Sequence, residues 1–245
     1  MKFQHFIISR FNLSLYDCMS EQVAEVWMYY RMSLFDTFCY PSIVNQENQN
    51  FIWLVFLSDK TPEHYRQLFS KHNRMIPIYC KEQGFDDIQI KGFVNKHIKQ
   101  FVDSDAEYLI TSRVDIDDMI SKDYVQSVQT EMPMTDNTNL VFSLGYVLDL
   151  PSKTLMERKY VYNQFPSYIE KNTDNFKTVW FAGHHQIHLT TETKIIEQGR
   201  KWCWILHAKN KHPGSILKNY RSSVADIECL QNQFSYRKDN LWAFS

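Results

Sequence analysis

Three carboxylates crowd into four positions of this 245-residue chain, at Asp115, Asp117 and Asp118. They repel one another unless a cation sits between them. A divalent metal takes oxygen ligands of this kind, and it can carry the phosphates of a nucleotide. Directly before them runs Tyr108-Leu-Ile-Thr-Ser-Arg-Val114, apolar and β-branched, which predicts a buried strand. Asp is poor in strands and in helix interiors, so the cluster marks where that strand stops. The charge then lies at the carboxyl edge of a sheet, where open α/β sheets bind ligands. The plainer reading is a strand-to-helix turn in which Asp117 or Asp118 caps the next helix. Asp-x-Asp recurs by chance, so the surrounding elements have to decide.

Those elements alternate. Phe3–Ser9 predicts a first strand, with Arg10-Phe11-Asn12 at its carboxyl edge. Glu21–Ser33 has helical spacing of apolar residues, at Val23, Val26, Trp27, Tyr30 and Leu34, and Pro41 opens a short helix. Phe51–Leu57 is an unbroken apolar run, as expected of a parallel strand covered on both faces. Thr61-Pro62-Glu63 starts a helix to about Lys71, with the Thr61 hydroxyl as cap. Met75–Cys80 predicts a strand and Gly92–Asp103 a helix with Phe93, His97, Phe101 and Val102 inward. The acidic cluster therefore closes the fourth strand of a βα series, which implies a parallel sheet with helices on both faces. Beyond it the reading gives a helix at Lys122–Thr130 and strands at Asn139–Leu150, Lys159–Gln164 and Thr178–Ala182. A short helix follows at Lys194–Gly199, then a strand at Trp202–His207 and a helix at Ser223–Phe234 capped by Ser223. No Pro-, Gly- or Ser-rich linker and no repeat divides the chain, so a single domain is expected. Its first half (1–120) is expected to bind a nucleotide and its second (121–245) an acceptor.

The whole composition narrows the field. A net charge of −1 without a dense Lys/Arg block gives no nucleic-acid footprint. Five cysteines without paired spacing oppose a disulfide framework or zinc ribbon and suit a cytoplasmic protein with reduced thiols. No secretory signal and no apolar stretch near the ~20 residues of a membrane span is present, which leaves peripheral membrane association open. The six glycines form neither a dinucleotide fingerprint nor a P-loop. Aromatic residues make up 15%, which fits a large-residue core or stacking surfaces for sugars and bases.

A parallel first half whose fourth strand ends in Asp-x-Asp resembles the GT-A fold of nucleotide-sugar glycosyltransferases. More narrowly, the chain is similar to the bacterial putative rhamnosyl transferase family. The likeness rests on His5-Phe-Ile-Ile-Ser-Arg-Phe-Asn12, Arg31 with Leu34-Phe35, Pro41-Ser42-Ile43 with Gln46, and Asn50-Phe51-Ile-Trp53. It continues in Ser112-Arg-Val-Asp-Ile-Asp-Asp118 and in Trp204, His207 and Asn210. The resemblance implies an α/β, GT-A-like mixed and mainly parallel sheet flanked by helices. It also implies a Mn²⁺ or Mg²⁺ ion, a nucleoside-diphosphate sugar donor (rhamnose on dTDP for this family) and a glycan acceptor.

Within that frame Asp117 is the first choice as metal ligand, with Asp115 on the donor's ribose or sugar or on the metal, and Asp118 in support. The resembling fold often completes its metal site with a late histidine, here His207; the alternative is a histidine bonded to a backbone carbonyl. Arg10 and Arg113 either bind the diphosphate bidentately or pair with a neighbouring Asp. Lys209 and Lys211 are either phosphate contacts or solvated. Asp59 is either a base or ribose contact or a turn former. His184-His185-Gln-Ile-His188 lacks the Glu of a zinc-protease motif, and one of these histidines facing the acceptor sugar suits the stretch better than zinc. The general base is open among Asp149, Glu170, His184, Asp226 and Glu228, since spacing does not choose. Two rivals remain: a nucleotidyltransferase, which would want a Gly-rich loop near the first strand, and a non-catalytic carbohydrate-binding protein.

Overall fold

The computed structural model of the chain describes residues 2–81, 87–132, 136–208, 210 and 224–241. Four strands carry the predicted alternation: β1 (Phe3–Arg10), β2 (Ile52–Ser58), β3 (Ile76–Cys80) and β4 (Tyr108–Arg113). They pair in parallel in the order β3-β2-β1-β4. The chain moves outward from β1 through β2 to β3, then returns to the other side of β1. In open α/β sheets such a reversal marks the carboxyl ends of the strands beside it as the place for a ligand, here the ends of β1 and β4, where Arg10 and Arg113 stand.

Side-chain alternation splits the core in two. Ile7, Trp53, Val55, Leu57 and Ile110 face a layer that includes α2 (Glu21–Leu34), α3 (Tyr40–Val44), α4 (Glu63–Ser70) and α6 (Tyr124–Thr130). Phe6, Ile8, Leu54, Phe56 and Leu109 face α5 (Asp87–Ile98) and the Val179-Trp180 turn. α1 (Leu15–Cys18) is a single turn between β1 and α2. Among the described residues no helix is long and apolar enough to cross a membrane.

The sheet continues past β4 through β9 (Ser167–Lys171), β6 (Thr138–Phe142) and β10 (Glu192–Ile196), with β9 antiparallel to both neighbours. A second sheet runs β12-β8-β7-β11-β5, from β12 (Val224–Ala225), β8 (Thr154–Lys159), β7 (Leu144–Asp149), β11 (Trp202–Leu206) and β5 (Met119–Ile120). Its core joins α7 (Ile227–Gln233) to the end of α2 and the π turn Phe35–Cys39, through Leu230, Leu34 and Phe38.

Several expectations are corrected. α2 buries Ala24, Met28, Met32 and Leu34, while Val23 and Val26 are exposed. Small Ala and flexible Met fit the tight face against the sheet, which the more conspicuous valines disguise. The Thr61 hydroxyl donates to the Ser58 carbonyl at 2.6 Å, and Pro62 holds the cap position of α4 without a side-chain bond. α5 starts earlier than expected and ends as a 3₁₀ turn at Lys99–Phe101.

The long strand Asn139–Leu150 breaks at Ser143 into β6 and β7, one in each sheet. Gly145 makes this possible, because Trp202 of β11 lies over it and a Cβ there would meet the indole at 2.2 Å. The Lys159–Gln164 stretch is mostly loop, and β8 and β9 flank it. Thr178–Ala182 is a turn, and 194–199 continues β10 before turning at Gly199, where φ is +66°. Here the β-branched Thr and Ile residues outweigh the helical spacing. Asp226 caps α7 in the expected manner of a helix start, by accepting from the Glu228 amide at 3.0 Å. Ser223, the expected cap, lies outside the described residues.

Candidate functional site

The acidic cluster occupies the five-residue link between β4 and β5, where the chain leaves one sheet for the other. The link is a tight turn rather than a helix start: the Val114 amide donates to the Ile8 carbonyl at 3.3 Å and the Asp118 amide to the Asp115 carbonyl at 3.2 Å. The plain capping reading therefore fails for Asp117 and Asp118, since neither begins a helix. The turn points the three carboxylates in different directions.

Asp118 is buried and faces the second sheet. Its Oδ1 accepts from the Ile205 amide at 2.8 Å and its Oδ2 from Gln164 at 3.2 Å. Burial, then the charges of Asp117 and Asp115, push its carboxyl well above the usual range. It acts as a clamp between β5 and β11.

Asp117 is buried and turned toward α2 and the end of β11. Its Oδ2 receives the Arg31 guanidinium of α2 and lies 2.9 Å from His207 Nε2. Burial alone would raise its pKa, but Arg31 and then the His207 bond outweigh it and hold the carboxyl at about 2. His207 is fully buried just past β11, against the Tyr30 ring at 5.4 Å, and Asn210 bonds its backbone amide. Asp115 is the most exposed of the three and stands 3.4 Å from both Nε and an Nη of Arg113.

Arg113 and Arg10 share one ring. Their guanidinium carbons lie 4.1 Å and 5.0 Å from the centroid of Trp180. Trp180 is fully buried, and its Nε1 has no hydrogen-bond partner among the described residues. The turn carrying it is tied down by Glu170, which accepts from the Lys177 and Thr178 amides at 2.7 Å each, and by Thr111, which accepts from the Val179 amide at 2.8 Å. His184 follows on the same segment. Burial, then the Arg113 charge, keeps its imidazole neutral, with the pKa lowered to about 3.

The structure thus brings Asp115, Asp117, His207, Arg10, Arg113 and His184 to one sheet edge. Asp59 stands one strand further out, after β2, where its carbonyl accepts from Arg66. Asp149 ends β7 beside Leu206, the residue before His207, and accepts from Ser152 at 2.6 Å. The other base candidates are engaged elsewhere: Glu170 on β9, holding the Lys177 and Thr178 amides, and Asp226 and Glu228 at the exposed start of α7. Lys209 and Lys211 lie outside the described residues.

Arg31, Trp180 and Gln164 complete the site, and no local signal marks them for these contacts. Arg31 reaches Asp117 across 86 positions. Two donor atoms 2.9 Å apart, as in Asp117 and His207, match adjacent corners of a coordination shell. With bonds of ~2.1 Å those corners are about 3.0 Å apart. Among the described residues no group of three or more His, Cys, Asp or Glu side chains is gathered for a metal. The donor set fits an ion held by two protein ligands and completed by substrate phosphates, rather than a closed protein cage.

The profile of a family described as putative rhamnosyl transferase matches residues 14–218. Comparison with curated proteins gave no match. Among solved structures, residues 1–349 of TarS from S. aureus are 10% identical, with a TM-score of 0.48, over 84% of this chain and 60% of that one. The same protein in complex with UDP is 11% identical, with a TM-score of 0.48, over 84% and 61%. A putative nucleotide-diphospho-sugar transferase from Desulfovibrio desulfuricans G20 is 11% identical, with a TM-score of 0.40, over 82% and 80%. The chain spans about three fifths of the length of the TarS fragment that it matches. The profile match extends from α1 past β11 and so takes in Asp115, Asp117, Arg31 and His207. The chain belongs to the putative rhamnosyl transferase family of glycosyltransferases.

Proposed function

We propose that this chain transfers a sugar from a nucleoside-diphosphate donor to a hydroxyl of a glycan acceptor, with Mn²⁺ or Mg²⁺ held by Asp117 and His207. The single observation that carries the reading is the meeting of Asp117 and His207 at the carboxyl edge of β4, beside two arginines. When bound, the metal supplies Lewis-acid neutralisation of the diphosphate leaving group.

The chain's own residues do the rest. Asp117 is ionised at any working pH, and Arg31 balances its charge. Arg10 and Arg113, aligned on Trp180, are placed to take diphosphate oxygens. Asp115 leans on Arg113 toward the ribose or the sugar, and Asp59 is offered to the base or ribose. Of the base candidates, Asp149 and His184 stand at the edge where the acceptor hydroxyl must arrive. A neutral His184 with so low a pKa is a weak base, which favours Asp149. Rhamnose carried on dTDP is the donor suggested by the family description. We assign donor binding to residues 1–120 and acceptor binding to 121–245, within one cytoplasmic domain.

Calorimetric titration with UDP, dTDP and GDP, with and without Mn²⁺, tests the proposal. Supporting behaviour is nucleotide binding that needs the metal and disappears in Asp117→Asn. Absence of binding to every nucleotide with metal present overturns it.

A further inference from the structure

Two segments lead away from the acidic link, and a third meets them; together they carry a row of partly exposed rings. The first is β11, where Trp204 directly precedes Ile205, the residue whose amide Asp118 holds. The second runs out of β8 through Tyr160 and Tyr162 to Gln164, which bonds Asp118 at 3.2 Å. The third is the 3₁₀ turn Ile187–Leu189, which presents His188, four residues after His184.

These segments touch one another. The buried Arg158 guanidinium lies 4.9 Å from the Tyr160 ring and 5.6 Å from the Trp204 ring, so it brackets both. Tyr160 and Tyr162 meet edge to face at 6.3 Å. Tyr162 is 42% exposed, yet its ring packs on His188 at 4.3 Å. The Nδ1 of His188 is buried without a hydrogen-bond partner among the described residues. A core would have covered these rings, and a plain solvent surface would not have ordered them around an arginine.

Resting on the glycosyl-transfer reading, we infer that Trp204, Arg158, Tyr160, Tyr162 and His188 form a ledge that binds the acceptor saccharide. A pyranose has apolar C–H faces that stack on aromatic rings and equatorial hydroxyls that take hydrogen bonds from Arg, Tyr and His. The ledge offers both in alternation. It is continuous with the acidic link through Gln164 and Ile205, so a sugar seated there lies beside the reacting centre. The two clamps on Asp118 therefore do more than close the second sheet: they fix the ledge relative to Asp117.

Saturation-transfer NMR with methyl hexopyranosides of gluco, galacto, manno and rhamno configuration tests this, with UDP and dTDP plus Mn²⁺ as separate probes. The expected result is saturation of ring C–H protons in at least one glycoside, with binding roughly five- to ten-fold weaker in Tyr162→Ala and in His188→Ala. Tyr162 is on a loop and His188 in a single 3₁₀ turn, and melting curves check that the variants fold. Nucleotide saturation without any glycoside signal overturns the ledge while sparing the transfer reading. So does a glycoside signal that is undiminished in both variants. A glycoside signal lost in the variants, with no nucleotide bound, keeps the ledge and overturns the transfer reading instead.

Discussion

His207 and Asp117 are 90 residues apart in sequence and 2.9 Å apart in space. If they share a metal, the two are not equivalent. Asp117 brings the charge, so Asp117→Asn is expected to slow donor hydrolysis by about 10²–10³-fold, and added Mn²⁺ does not restore it. In His207→Ala the carboxylate remains, and raising Mn²⁺ recovers part of the rate. Mass spectrometry of the released nucleoside diphosphate reads both.

Asp118 is expected to behave differently from its neighbour. Its oxygens accept from the Ile205 amide and from Gln164, and its carboxyl is held toward the protonated form. Asp118→Ala strands both donors in the interior and should cost about 1–3 kcal/mol in urea unfolding. Asp118→Asn keeps an acceptor and, like the protonated carboxyl, carries no charge, so it should cost clearly less. Equal losses in the two variants would count against the clamp.

Gly145→Ala probes the seam between the sheets. Its Cβ would enter the Trp202 ring at 2.2 Å, where the indole is stacked on Phe165 and donates to the Phe142 carbonyl at 2.7 Å. A ring so held cannot swing aside, and we expect about 3 kcal/mol of destabilisation or failure to fold. Thermal unfolding followed by Trp fluorescence reads it.

His5 gives the protein an acid sensitivity of its own. It is wholly buried, Gln129 donates to its Nδ1 at 3.2 Å, and its Nε2–H donates to Ser112 Oγ at 2.8 Å. Burial lowers its pKa from 6.5 to about 3. The unfolded chain therefore takes up this proton first. Stability is complete above about pH 6.5, falls as the pH drops toward 3, and is flat below. Between pH 7 and 5 this amounts to about 2 kcal/mol. His184 is shifted in the same direction, so His5→Gln should reduce the loss across that window without abolishing it. An unchanged loss in urea titrations at the two pH values would exclude His5 as a source.

The sequence made the parallel half legible because its strands are dense in apolar residues and punctuated by turn signals. Phe51–Leu57 and Tyr108–Val114 are strands with nearly the expected bounds. Asp115, Asp117 and His207 were legible through strand ends, since a charged residue after a buried strand has few other places to be. The second half was harder. Asn139–Leu150 reads as one strand, and only the later arrival of Trp202 over Gly145 explains its division between two sheets. The contacts of Arg31 and Trp180 were hidden for a different reason: Arg31 entered only as part of the family likeness and Trp180 lies on an apolar stretch, and only the fold brings the guanidinium of one and the ring face of the other to the cluster.

The five-residue link between β4 and β5 also has a consequence for the growing polypeptide. A nascent chain that stops short of β11 can pair β1 to β4 and expose the arginine edge. It holds Asp118 without the Ile205 amide and Asp117 without His207. Bringing β11 back to the link closes a loop of 87 to 90 positions, an entropic step taken after the local βα pairings. The Asp117–His207 pair thus forms late in synthesis, once β11 is made, and a product ended before that strand lacks it.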